Sequence, residues 1–194
     1  MRPLPRLLAL TDDAICRDDD FQIRAAAILS VGSAVAVVVQ APGASSDLRR
    51  RYLERVRALA RPAEGAILIA DDPTLGRIVG AHGVHLTEPV DDLAAVRATL
   101  GPGWVGLSIG APSEATAAAD YLVVEPYLGP DPFPAALAAG KPVFIGAPRG
   151  QVGALPTGAW GVTAGAALWA APDPARSAAD LVAALADREL GSSR

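Results

Sequence analysis

Cysteine and lysine are almost missing from this chain of 194 residues. A single Cys16 excludes an internal disulfide and suits a reducing compartment, so the expected location is the cytoplasm. No apolar run approaches the roughly 18 residues that span a bilayer. The longest, 34–39, is only strand length, and no membrane association is expected. Arg2 and Arg6 are soon followed by Asp12 and Asp13, a pattern unlike a secretory signal. A net charge of −4 argues against a general nucleic-acid binder. The basic residues are lopsided: sixteen arginines accompany one lysine, Lys141. Neither a phosphate-loop motif nor a Ser-His-Asp order is present, and Thr11-Asp12-Asp13-Ala14 is not a dinucleotide fingerprint.

What is there is repetition. A short apolar run ending in polar residues recurs about every 24 residues, the spacing of strand-plus-helix units. The runs are 6–13, 34–39, 66–70, 84–86, 104–108, 121–125, 143–145 and 160–164. The second, rich in β-branched valine, is expected of a parallel sheet covered on both faces. Between the runs lie helical patterns. Asp20 caps one through Leu29, with Phe21, Ala25, Ile28 and Leu29 inward. Ser45 or Ser46 starts the longest, to about residue 60, with Leu48, Tyr52 and Val56 on one face. The six arginines from Arg49 to Arg61 read as its solvated face, joined to Glu54, rather than a nucleic-acid patch. Later helices are expected over 91–100, 113–119 and 133–139, with Gly140 as a stop, and after Pro174.

Eight alternating units imply a parallel sheet with right-handed crossovers. The expected fold is α/β, a compact (β/α)8 TIM barrel forming one domain over residues 1–194. A doubly wound open sheet is the runner-up. In a barrel, Asp12, Gln40, Asp71, His85, Ser108, Glu125 and Gly146 share the carboxyl-end rim, where such folds keep their sites. His82 and His85 lie three apart on a strand, hence on opposite faces, so joint metal ligation is not expected. His82 is expected in solvent at the turn, and Cys16 in a loop as an incidental thiol.

The segment 80–89 carries a resemblance. Gly83-Val84-His85-Leu86 is similar to the Asp-Gly-Val-His-Leu-Gly-Gln motif of thiamine phosphate synthases and their TenI relatives. Leu10-Thr11-Asp12, Gln40, Asp71, Gly106-x-Ser108, Ala119-Asp120-Tyr121, Pro142 to Gly146, Gly158 to Val162 and Asp173-Pro174 resemble that family's motifs in the same order. The resemblance covers nearly the whole chain and implies the same barrel. It also implies a small-molecule phosphate ligand held by Gln40 and by the loops at Gly146, Ala147, Arg149, Gly165 and Ala166. Asp71, Asp72 and Glu88 are the implied carboxylates for Mg²⁺. A homodimer is left open.

The departures are in the chemistry. Where the family has an arginine and a lysine after its glutamine, this chain has Pro42 and Ala44, and a loop lysine is replaced by Phe133. Its second magnesium aspartate falls at Val90, its strand-eight serine at Ala166, and a histidine after the strand-five serine at Gly110. Lys141 belongs at the opposite end of a barrel and cannot substitute. The resemblance therefore implies a TenI-like barrel that binds a thiazole phosphate. His85, Glu88, Glu125 and Ser108 are its candidate proton-transfer groups, and synthase activity is weak or lost. A binding or regulatory barrel without catalysis, or a divergent synthase, are the alternatives. A mouth filled by Tyr127, Phe133 or Trp169 would favour the first of these.

Overall fold

The computed structural model describes residues 2–109, 114–124, 133–146 and 156–192. Among them are eight strands. These are β1 (Leu7–Leu10), β2 (Val35–Val39), β3 (Ala66–Ala70), β4 (Gly83–Leu86), β5 (Trp104–Ile109), β6 (Tyr121–Val124), β7 (Val143–Gly146) and β8 (Gly161–Ala164). They pair in chain order as a closed parallel barrel, and β8 returns to β1 through Leu7↔Val162, Leu8↔Thr163 and Ala9↔Ala164. The helices are α1 (Asp13–Arg17), α2 (Phe21–Leu29), α3 (Ser46–Ala63), α4 (Pro73–Val79), α5 (Leu93–Leu100), α6 (Glu114–Ala118), α7 (Phe133–Ala138), α8 (Ala166–Trp169) and α9 (Pro174–Ser192). The (β/α)8 barrel is as expected. Two short helices, α1 and α8, have no counterpart in the sequence pattern because each is too short to show a period of 3.6.

Local chemistry explains the boundaries. Helices are started by acceptors that take a first-turn amide: Asp12 from Ile15, Ser45 from Leu48, Asp72 from Leu75 and Asp92 from Ala95. Gly80 and Gly140 follow α4 and α7 with φ of 73° and 68°, the left-handed turn that suits glycine. Asp20 precedes α2 but its side chain makes no cap bond. Among the described residues no helix is long and apolar enough to cross a membrane.

The core has two layers. Leu7, Val37, Ile67, Val84, Leu107 and their neighbours face the helices. Leu8, Ala36, Val38, Ala66, Leu68, Trp104, Tyr121, Val123 and Phe144 fill the lumen. Small and large residues alternate there, because the interior of an eight-stranded barrel is only wide enough to be filled by side chains. A Cβ on Gly106 would lie 1.9 Å from the Tyr121 ring, and one on Gly161 would lie 2.6 Å from Phe144. Glycine at these positions is the space in which the aromatic rings sit.

The amino end of the barrel is closed by Arg6, stacked 4.6 Å over the Trp160 ring, whose Nε1 donates to the Pro5 carbonyl. Lys141 borders a cavity of about 620 Å³ with Trp160 and Arg188 at this same end. The only lysine in the chain is therefore remote from the carboxyl-end mouth, as its place before β7 requires.

Candidate active site

The rim is built strand by strand. At the β1 tip, Thr11 Oγ1 donates to the Gln40 carbonyl at 2.9 Å and accepts from the Gln40 amide at 2.8 Å. The first two strands are thus tied together just below the mouth. Asp12 is used to cap α1. Asp13, next along, reaches across to loop two and accepts from the Gly43 amide at 2.9 Å. Its other oxygen lies 3.6 Å from Arg17, beyond hydrogen-bond length. Cys16 sits in α1, not in a loop. Its thiol is buried, donates to Thr11 Oγ1 at 3.3 Å, and is pushed up to about 11 by burial, so it is an inert core thiol.

At the β3 tip, Asp71 holds a left-handed backbone, φ 58°, which aspartate tolerates better than most residues. Its amide donates to the His85 carbonyl, and its carboxylate accepts from the Thr87 amide at 2.7 Å and the Thr87 hydroxyl at 2.6 Å. Asp72 turns away to cap α4 and faces Arg49 at 3.6 Å. Glu88 is exposed on the following loop. The three carboxylates implied for Mg²⁺ do not converge, and no group of three His, Cys, Asp or Glu side chains at metal-ligand spacing occurs among the described residues.

His85 points into the lumen one layer below the rim and is 2% exposed. Its Nε2 is 3.1 Å from Ser108 Oγ and its Nδ1 is 3.3 Å from Tyr121 Oη, with the phenol ring stacked parallel at 5.8 Å. Ser108 is half-exposed, so a string of hydrogen bonds runs from the mouth through Ser108 to His85 and Tyr121. Burial lowers the His85 pKa to about 4 and raises that of Tyr121. At neutral pH the imidazole is therefore uncharged.

This burial has a consequence for stability. His85 protonates near 6.5 when unfolded and near 4 when folded, so protons favour the unfolded chain. Stability is full above that upper value and declines as pH falls toward the lower one. At about pH 5 this group alone removes about 2 kcal/mol. Half-buried His82, also lowered to about 4, acts in the same direction. Urea denaturation across this range should show the decline, with a shallower limb in His85→Gln. Equal stability at about pH 7 and pH 5 would refute it.

On the far side of the mouth, Gly146 ends β7 and Gly165 precedes α8. Leu168 and Trp169 donate back to the Gly165 carbonyl, which leaves the amides of Ala166 and Ala167 outside the helix ladder. A Cβ on Gly165 would meet nothing within 4 Å, so this turn faces open space. Trp169 does not fill it: its ring packs 5.7 Å from Phe21 and its Nε1 donates to the Leu10 carbonyl. Phe133 is likewise buried among the outer core residues. Tyr127 and three of the sequence-derived site residues, Glu125, Ala147 and Arg149, lie outside the described residues, as does Gly110.

Two corrections concern the histidines. His85 lies in the lumen one layer below the rim, because it pairs with Gly106, two residues before Ser108 on β5. His82 is not in solvent: its Nδ1 accepts from the Ile67 amide at 3.0 Å at the amino end of the barrel. Two site residues were missed, Asp13 and Tyr121. Alternation along β6 from Val123 would have shown Tyr121 facing inward. Nothing local marks Asp13, whose partner is 30 residues away.

Together these features define a (β/α)8 barrel with its polar side chains gathered at the carboxyl ends of the strands. The pattern of the family described as thiamine monophosphate synthase matches residues 7–133. Over 146 residues the chain is 34% identical to the thiamine-phosphate synthase of Thioalkalivibrio sulfidiphilus, covering 71% of this chain and 68% of that one. A match to the Lactococcus lactis enzyme of the same name is 30% identical over 87 residues, 42% of this chain and 40% of that one. Among solved structures, thiamine phosphate pyrophosphorylase from Pyrococcus furiosus superposes with a TM-score of 0.73 at 19% identity, covering 94% and 96% of the two chains. Tryptophan synthase from M. tuberculosis superposes at 0.67 with 14% identity and 94% of each chain covered, a likeness of fold alone. The chain belongs to the thiamine monophosphate synthase family.

Proposed function

We propose that this family member is TenI-like: it binds a thiazole phosphate in the carboxyl-end mouth, and its joining of that ligand to a pyrimidine diphosphate is weak or lost. The observation that carries this reading is Asp13. Its carboxylate holds the Gly43 amide, between Pro42 and Ala44, where the family places an arginine and a lysine. A negative group thus stands where a diphosphate needs positive charge, and the loop's own amide is already engaged. Pro42 has no amide to offer.

The chemistry that remains is proton transfer. Ser108 presents its hydroxyl to the ligand and relays a proton to neutral His85, while Tyr121 holds the far nitrogen and so orients the ring. Ser108 is the residue in contact with the ligand, and His85 and Tyr121 act through it. Glu88 and Glu125 are further candidates at the mouth. The ligand phosphate is met by the amides at Gly165 and Ala166, beside Gly146 and Gln40, with Ala147 and Arg149 on the neighbouring loop. Mg²⁺ would find Asp71 and otherwise waters or ligand oxygens, which suits a weakly held ion.

A divergent synthase is the second reading, favoured by the 34% identity to a curated enzyme of that name. Thermal shift separates binding from turnover. A thiazole phosphate is expected to raise the melting temperature by several degrees at about a hundred times its dissociation constant, which corresponds to about 2.7 kcal/mol. Pyrimidine diphosphate should raise it less. No shift with the thiazole ligand, or a larger one with the diphosphate, would sink the reading.

A further inference from the structure

The amino end of the barrel, opposite the mouth, holds a second group of inward-facing donors. His82 lies in the turn before β4, and the Ile67 amide donates to its Nδ1 at 3.0 Å. A backbone amide can only donate, so Nδ1 carries no hydrogen and the neutral ring bears its hydrogen on Nε2. What faces Nε2 is Arg2 Nη1, 3.3 Å away. A guanidinium also only donates. Two N–H groups therefore meet with no acceptor between them. Arg2 is not placed there by chance, since the same nitrogen donates to the Gly65 carbonyl at 2.7 Å.

The environment keeps both donors in place. Burial, then Arg2 and Arg57, lower the His82 pKa to about 4, so the ring stays neutral near pH 7. The Ile67 bond can be made only to an unprotonated Nδ1. Beside this pair opens a cleft of about 360 Å³, lined by Arg2, Arg77, His82, Leu100, Pro102 and Trp104, with no carboxylate among its lining residues. Arg57 stands at its edge, donating to the Gly80 carbonyl at 2.8 Å. Among the described residues, the charged groups that act on His82 are Arg2 and Arg57, both positive. The volume lies at the small end of the range for ligand pockets, about 300–1,000 Å³.

We propose that this cleft is a second ligand site, for a small organic anion. A phosphate or carboxylate oxygen accepts from His82 Nε2–H and Arg2 together, and the apolar remainder lies against Leu100, Pro102 and Trp104. Arg77 adds a charge at the entrance. The site is separate from the mouth, because His82 and the first residue of β5 lie at the opposite ends of their strands from the rim.

The chain has two histidines, so their ring protons give one signal for this cleft and one for the lumen. Proton NMR of the full chain is followed while phenyl phosphate or benzoate is added, with sodium chloride at matched ionic strength as control. The expected result is a saturable shift of the His82 signal with millimolar or tighter affinity. Whichever probe binds more tightly names the anionic group. Arg2→Gln should weaken binding about tenfold or more, the worth of one charge-assisted hydrogen bond. His82→Asn keeps an acceptor for the Ile67 amide, so the fold is retained, but it lacks the Nε2 donor. Its binding, read from the probe's own resonances, should fall likewise. A His82 signal unmoved by both probes would mean a water-filled cleft only and would overturn the proposal. So would an equal shift with chloride, or undiminished affinity in Arg2→Gln.

Discussion

Given Mg²⁺, pyrimidine diphosphate and thiazole phosphate, the protein is expected to release diphosphate about a thousandfold or more slowly than a family member with its cations intact. Three cationic positions are replaced, by Pro42, Ala44 and Phe133, and each charge-assisted hydrogen bond to an anion contributes about 1.5–3 kcal/mol. With one factor of ten per 1.36 kcal/mol, three such losses exceed about three powers of ten. Asp13 deepens the deficit by setting a carboxylate against the same loop. Lys141 cannot compensate from the amino end of the barrel. A continuous assay of diphosphate, run beside a synthase control, decides the matter, and turnover near one per second, within the ordinary enzyme range, would show a relocated cation.

The structure also decides which substitutions restore activity. Sequence matching alone points to Pro42→Arg, Ala44→Lys and Phe133→Lys together. Phe133 is 5% exposed in the outer core, so a lysine there buries an unpaired charge and destabilises the barrel. Pro42 is exposed and free to change. Pro42→Arg with Asp13→Asn is the better pair: asparagine still accepts from Gly43 but removes the charge. That pair should raise diphosphate release about tenfold or more over the parent if a diphosphate can enter at all.

The second large effect is structural. Gly106→Ala should destabilise the protein by about 3 kcal/mol or more, at or beyond the upper end of ordinary overpacking. The added methyl would lie 1.9 Å from Cζ of Tyr121, whose ring is fully buried between His85 and Phe144. The ring cannot retreat without breaking its contact with His85 Nδ1. Denaturant unfolding measures the loss. Combining Gly106→Ala with Tyr121→Leu should recover part of it, since the smaller side chain vacates the space. A stable Gly106→Ala protein with an unshifted midpoint would show that the lumen is looser than its packing implies.

Much of the fold was legible because it is written in local pattern. A short, valine-rich apolar run such as Val35–Val39 reads as a strand covered on both faces, and eight such runs alternating with helices close most simply into a barrel. Helix starts were legible where an acceptor stood ready, as at Ser45. They were invisible for α1 and α8, where one turn carries no period. The Gly106 and Tyr121 pairing was only half legible, since alternation turns each inward but does not say that they meet.

The sequence by itself determined the strand and helix alternation, the family resemblance and the replaced cations, because each depends on residue identity and near-neighbour spacing. The tertiary structure alone decided where the polar groups point. It turned His85 into the lumen between Ser108 and Tyr121, and sent Asp72 to α4 and Arg49. It brought Asp13 onto Gly43 and set His82 against Arg2. The reason is that a hydrogen bond is settled within about 3 Å in space, while these partners lie as far as 80 residues apart along the chain.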